Sequence, residues 1–296
     1  MRVRSYLPMT MDTAILLCSC PDAKGVVARV TGFLHTYGAN LVHADHHADL
    51  QSRTSFLRLE WEVEGFGLDD GSFRAAFSPI AATMGMEWTL RFSNIPVKVG
   101  ILVSKQEHCL VDLLHRFSIG ELPGTCAFVA GNHDEAGGIV RHWDIPWISL
   151  PIKSGDDESK ARAEATVLDA CRKGHVELLV LARYMQVLSE RFLSEVGIPV
   201  VNIHHSFLPA FKGGKPYHQA WERGVKIVGA TAHYVTQDLD EGPIIGQDVV
   251  RVSHRDSVDD LVRKGRDLEK MVLSRAVRAH LSHRVIRLRD RTVVFD

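Results

Sequence analysis

Cysteine is scarce and odd in number, five in 296 residues. That excludes a small scaffold stapled by disulfides. With no secretory leader read in residues 1–11, it points to reduced thiols in a cytoplasmic protein. Neither sign of charge predominates: 35 Lys and Arg stand against 36 Asp and Glu, a net charge of -1. Such a balance argues against nucleic acid or an anionic membrane surface as a bulk partner. No apolar run reaches the roughly 18 residues that a membrane-spanning helix requires. What is there is an ordinary globular composition, 45% hydrophobic and 24% charged. The length suits about two domains of roughly 100–200 residues each. Histidine is the surplus, with 16 residues against 12 phenylalanines. A surplus of this kind suits metal binding, proton chemistry or neither.

Residues 12–92 read as one unit. Ala14 to Cys20 is a short apolar strand, and Val26, Val27, Val30, Phe33, Leu34 and Tyr37 then recur at helical spacing. Leu41 to Asp49 suits a second strand. In the next, Ser55, Leu57, Leu59, Trp61 and Val63 alternate with Phe56, Arg58, Glu60 and Glu62, which predicts one buried and one wet face. Phe73, Ala76, Phe77, Ile80 and Met84 give a second helical stripe, and Met86 to Phe92 a last strand. The order βαββαβ is ferredoxin-like. Ser93-Asn94-Ile95-Pro96 reads as a linker. Over 97–296 strands alternate with helices, which predicts a mostly parallel, doubly wound α/β sheet whose ligands bind beyond the carboxyl ends of the strands.

Two stretches at predicted strand ends carry chemistry. Asn202 and His204 lie two residues apart in Val200-Val201-Asn202-Ile203-His204, so an extended backbone projects both to one side. An amide beside an imidazole suits a developing oxyanion. The loop Asp238-Leu239-Asp240-Glu241-Gly242-Pro243 supplies carboxylates able to orient that imidazole or take a proton from water. By spacing alone, the plainer reading is favoured: strand-end residues bonding backbone and a solvated acidic loop.

The segments VNIHHSFLPAF and GATAHYVTQDLDEGPIIGQ, preceded by LARYMQVLS, resemble the signature of the folate-dependent formyltransferase family over residues 97 to 285. HHSFLPAF, PYHQAWERGVKIVGATAHYV and LDEGPII are most similar to its hydrolytic branch. CPDAKGVVARVTGFLHTYGANL resembles the opening of an ACT regulatory domain, so the likeness covers nearly the whole chain. The resemblance implies hydrolysis of 10-formyltetrahydrofolate to formate and tetrahydrofolate, with formate supplied to purine synthesis and one-carbon pools kept in balance. It implies Asn202, His204 and Asp240 as catalytic residues. It places the folate against Arg183, Tyr184, Met185, Val187, Leu188, His205, Gly213, His233, Val235 and Gln237, with no cofactor or metal. It further implies an amino-acid effector, glycine or methionine, at the ACT domain, and a homo-oligomer. The alternatives are transfer of the formyl group to an amine acceptor, or an amino-acid-binding regulatory protein. Against transfer, Val103-Ser104-Lys105-Gln106-Glu107-His108 holds no glycine to cradle an acceptor's phosphate.

Three further groupings fit plainer roles. Cys18 and Cys20 with His43, Asp45, His46 and His47 include metal-ligand types, but their alternation is that of strand faces. Lys212-Gly213-Gly214-Lys215 lacks the P-loop pattern and reads as a turn at the pocket, with Lys215 near the folate's glutamate tail. His205, His218 and His233 are expected to flank the crevice.

Overall fold

The structure, a computed structural model, describes residues 11–209 and 216–296. Gly213 and the Lys212–Lys215 turn lie outside the described residues. The chain divides into two compact units, the first running to Ile95 and the second from Pro96 to Leu281. Ser282–Ile286 and Val293–Asp296 group with the first unit and Arg287–Thr292 with the second, a division that the continuous range 97–296 does not express.

The first unit runs β1 (Thr13–Pro21), α1 (Val26–Thr36), β2 (Leu41–Asp49), β3 (Thr54–Glu62), α2 (Asp70–Thr83) and β4 (Glu87–Phe92). Its antiparallel sheet has the order β2-β3-β1-β4, the ferredoxin-like arrangement. Leu16 pairs with Leu59 on one side and Leu90 on the other. With Leu57 and Trp61 these residues meet Val30, Leu34, Phe73 and Phe77 from the helices in one core. The Asp69 side chain accepts the Ser72 N–H at 2.8 Å and so caps α2. The face of β3 expected to be wet is not: Phe56 and Arg58 are 1% and 3% exposed. Arg58 pairs with Glu60 at 2.7 Å and donates from Nε to the His283 carbonyl at 3.0 Å, so residues near the C-terminus cover Arg58. Cys18 and Cys20 point into the helix-facing core, and burial, then the neighbouring Cys20, pushes the Cys18 thiol up to about 12.

The second unit runs β5 (Val97–Val103), α3 (His108–Ser118), β6 (Gly124–Gly131), α4 (Glu135–His142), β7 (Trp147–Ser149), α5 (Asp157–Gly174), β8 (Leu178–Ala182), α6 (Glu190–Val196), β9 (Val200–His204), α7 (Pro216–Glu222), β10 (Ile227–Tyr234), β11 (Ile244–Arg251) and α8 (Val258–Leu281). β12 (Val285–Leu288) and β13 (Arg291–Val294) pair as the closing hairpin. The seven-stranded sheet has the order β11-β10-β9-β8-β5-β6-β7. β9, β8, β5, β6 and β7 are parallel, while β10 pairs antiparallel with β9 and β11 antiparallel with β10. β6 and β7 extend the sheet to one side of β5, and β8 and β9 extend it to the other. The order therefore reverses between β5 and β8, the place where open α/β sheets form a ligand crevice. Leu102, Leu179, Leu181 and Val200 pack there with Phe192 beneath it. Among the described residues no helix is long and apolar enough to cross a membrane.

Candidate active site

The site grows out of β9. Val200, Val201 and Ile203 are buried in the sheet, at most 3% exposed, and this anchoring turns the alternate Asn202 and His204 to one side. Antiparallel pairing sets His233 of β10 directly across from Asn202, and their Nδ2 and Nε2 atoms are 3.3 Å apart. His233 Nδ1 lies 2.9 Å from the Tyr234 carbonyl. A carbonyl only accepts, so Nδ1 carries the proton there and Nε2 of the neutral ring accepts from the Asn202 amide.

Asp240 reaches the same point from the loop between β10 and β11. The Tyr234 N–H donates to the Pro243 carbonyl at 2.9 Å, folding the loop back onto its own strand. Gly242 is required for that fold, because a Cβ there would collide with the Tyr234 carbonyl oxygen. Asp240 itself sits at φ 56, in the left-handed region that non-glycine residues seldom occupy. Its Oδ2 is 3.1 Å from His204 Nδ1, and its Oδ1 is 3.6 Å from His233 Nε2. Burial pushes the Asp240 pKa up. The hydrogen bond from His204 outweighs it and holds the carboxyl well below the usual carboxylate range. His204 is 5% exposed. Its other nitrogen, Nε2, is buried without a hydrogen-bond partner among the described residues.

Beside this cluster lies a cleft of about 250 Å³. It brings together Asn202, His204, Asp240, Arg183, Tyr184, Met185, Val187, Leu188, His205, His233, Val235 and Gln237. Met185 and Val187 are more than half exposed at its mouth, whereas Tyr184 and Leu188 belong to the core beneath it. Burial first, and the Arg183 charge second, push the His205 pKa down to about 4, so this ring is neutral near pH 7. His218 stands apart from these residues, in an adjoining cavity.

That adjoining cavity contains a cluster the sequence pattern did not reveal. Glu269 of α8, 1% exposed, accepts from Tyr217 OH at 2.6 Å through Oε1 and pairs through Oε2 with His108 Nε2 at 2.7 Å and Arg183 Nε at 3.4 Å. Burial raises the Glu269 pKa, but the bond from His108, the Arg183 charge and the Tyr217 hydroxyl together bring it below the ordinary value. Tyr217 fits against α8 only because residue 265 is glycine, since a Cβ there would run into its ring. A carboxylate on the apolar stripe of α8, between Leu268 and Val272, is the signal that could have found Glu269. Among the described residues, the close grouping of metal-ligating side chain types is His108, Cys109 and Glu269, in this cluster and not in the first unit. Both Glu269 oxygens are engaged by protein donors, and burial, then the Glu269 charge, keeps the Cys109 thiol neutral.

Comparison with known proteins identifies the family. Residues 97–277 match the formyl transferase family. The chain is 48% identical to a formyltetrahydrofolate deformylase of Synechocystis sp. over 96% of its length and 98% of that relative. It is similar to the crystal structure of a formyltetrahydrofolate deformylase from Pseudomonas syringae pv. tomato, with a TM-score of 0.93, 46% identity, and coverage of 97% of this chain and 96% of that one. A glycinamide ribonucleotide transformylase from Symbiobacterium toebii aligns with a TM-score of 0.62 and 30% identity over 68% of this chain and 95% of its own.

Proposed function

The chain belongs to the formyl transferase family and, within it, to the formyltetrahydrofolate deformylases, and from that premise we propose that it hydrolyses 10-formyltetrahydrofolate to formate and tetrahydrofolate. The observation that carries the reaction is the half-engaged imidazole of His204, bonded to Asp240 through Nδ1 and open at Nε2 beside the cleft. A ring protonated at both nitrogens gives one N–H to Asp240 and the other to the formyl oxygen. The Asn202 amide has two N–H groups. One goes to His233 Nε2, which leaves the second for the same oxygen. Donors of this kind contribute roughly 2.7–4 kcal/mol each to an oxyanionic transition state.

Water adds to the formyl carbon as Asp240 accepts one of its protons. The tetrahedral adduct then collapses with cleavage of the C–N10 bond. N10 leaves with the proton that Asp240 accepted, and the formic acid formed loses its own to solvent. The proton reaching N10 is essential, because an arylamine anion is a poor leaving group. The pterin lies against the backbone of residues 183–188 and 235–240, with Met185 and Val187 as apolar rims.

The βαββαβ order of the first unit and the Cys20–Leu41 segment support its assignment as an ACT-type domain taking an amino-acid effector, glycine or methionine, in a homo-oligomer. Buried free thiols at Cys18, Cys20, Cys109 and Cys171 suit a cytoplasmic setting. Formate release feeds purine synthesis while tetrahydrofolate returns to the one-carbon pool. The test is formate release from 10-formyltetrahydrofolate with no amine present. Turnover that is unchanged by added amines is expected, and turnover that needs an amine would assign the chain to transfer instead.

A further inference from the structure

Ser104, the residue that follows β5, does not line the cleft beside Asp240, yet it is bonded to the cleft's wall in two ways. Its backbone N–H donates to the Arg183 carbonyl at 3.3 Å. Its hydroxyl accepts the Met185 N–H at 3.0 Å and donates to Asn132 Oδ1 at 2.6 Å. The parallel ladders around it end at Val103↔Ala182 and Val103↔Gly131. Ser104 thus continues the join between three strand ends at the point where the strand order reverses. The segment it holds begins at Arg183, whose φ of 62 places a non-glycine residue in the left-handed region. The far end of that segment is fixed separately, by Ser189 N and Oγ donating to the Glu164 carboxylate at 2.8 and 2.5 Å. Residues 184–188 are therefore a short loop clamped at both ends. Ser104 is 4% exposed, so its hydroxyl is shielded from water and supplies a fixed partner for the loop.

We propose that Ser104 is a positioning residue for folate binding: its hydroxyl sets the backbone of residues 183–188 that the pterin contacts. A loop already held in its binding conformation loses less freedom when the ligand arrives, so the contribution falls on binding and not on the chemical step. The proposal rests on the cleft being the folate site. The experiment compares wild type, Ser104→Ala and Ser104→Thr, reading KM and kcat for formate release, Kd for tetrahydrofolate by calorimetry, and Tm. For Ser104→Ala, KM and Kd rise about tenfold, the loss of one good hydrogen bond, with kcat within about twofold. Ser104→Thr keeps the hydroxyl and restores most of the affinity. If Ser104→Ala does not fold, Asn132→Ala, which frees the hydroxyl from its second bond, carries the test with an expected rise of about threefold. Unchanged KM and Kd, even with a lowered Tm, or a threonine variant as impaired as alanine, would overturn the proposal. A wild type that binds tetrahydrofolate but frees no formate contradicts hydrolysis alone, and the Kd comparison still decides the role of Ser104. A wild type that binds no folate overturns both.

Discussion

Asp240 and Glu269 are two carboxylates in the second unit, each bonded to a histidine, and they differ in what the histidine and its surroundings leave open. Glu269 has Tyr217 on one oxygen, and His108 and Arg183 on the other. Asp240 holds His204 by Nδ1 only, and the ring's Nε2 is buried without a partner among the described residues. Buried polar groups are normally satisfied. Arg183 Nε beside Glu269 also lacks a hydrogen bond among the described residues, but both oxygens of the Glu269 carboxylate are filled, whereas the ring that Asp240 holds keeps a buried nitrogen for something yet to bind. Both carboxyls are held below their ordinary pKa against the effect of burial. A perturbed pKa by itself does not distinguish them. The unfilled nitrogen of the paired histidine does.

Variants can break this contrast from either side. Asp240→Asn carries the largest effect: folding and folate binding persist while formate release falls about a thousandfold or more, read by a formate assay beside a binding titration. His204→Ala leaves Asp240 in place but removes a donor, for a loss of roughly 10²–10³ in kcat at near-normal folate Kd. Glu269→Gln reverses the pattern. It costs about 3–5 kcal/mol of stability in denaturant titration, as breaking a buried pair does, with kcat changed by less than about tenfold.

The pH dependence of stability separates the clusters more finely. An unfolded Glu takes up a proton near pH 4.3, and folded Glu269 only below that, since its pKa is lowered. Its contribution is present above about pH 4.3 and lost as pH falls through the folded pKa. Glu269→Gln therefore flattens the acid limb. Nearer neutrality the change belongs to His205, whose pKa drops from 6.5 to about 4 on folding. The unfolded chain binds this proton first, so stability declines as pH falls from about 6.5 to about 4. His205→Gln removes that part of the slope in Tm measured against pH.

Much of this was legible in the residues, and the gaps have physical causes. Period-two alternation located β3, and the Asn202–His204 spacing put both side chains on one face before any tertiary contact was known. Alternation could not tell that Arg58 would be covered by residues near His283, because that contact spans more than two hundred positions. Three short helices, α4, α6 and α7, escaped the pattern. α4 carries Gly137 and Gly138 in only 8 residues, too short and too glycine-rich to display a stripe. The turn from parallel to antiparallel at β10, which sets His233 against Asn202, leaves no trace in local sequence. Ser104 and Glu269 were missed because their partners, Met185, Asn132, His108 and Tyr217, come from other elements. In Glu269 only a charge on an apolar stripe gave a hint.

The central claim is that water attacks the formyl carbon beside the His204–Asp240 pair, and labelling the solvent tests it most directly. Hydrolysis of 10-formyltetrahydrofolate in water enriched in oxygen-18, with no amine present and the formate analysed by mass spectrometry, should give formate carrying one labelled oxygen per turnover. The same reaction with Asp240→Asn should give almost none. Formate without the label, or labelled formate released by Asp240→Asn at the wild-type rate, would contradict the account.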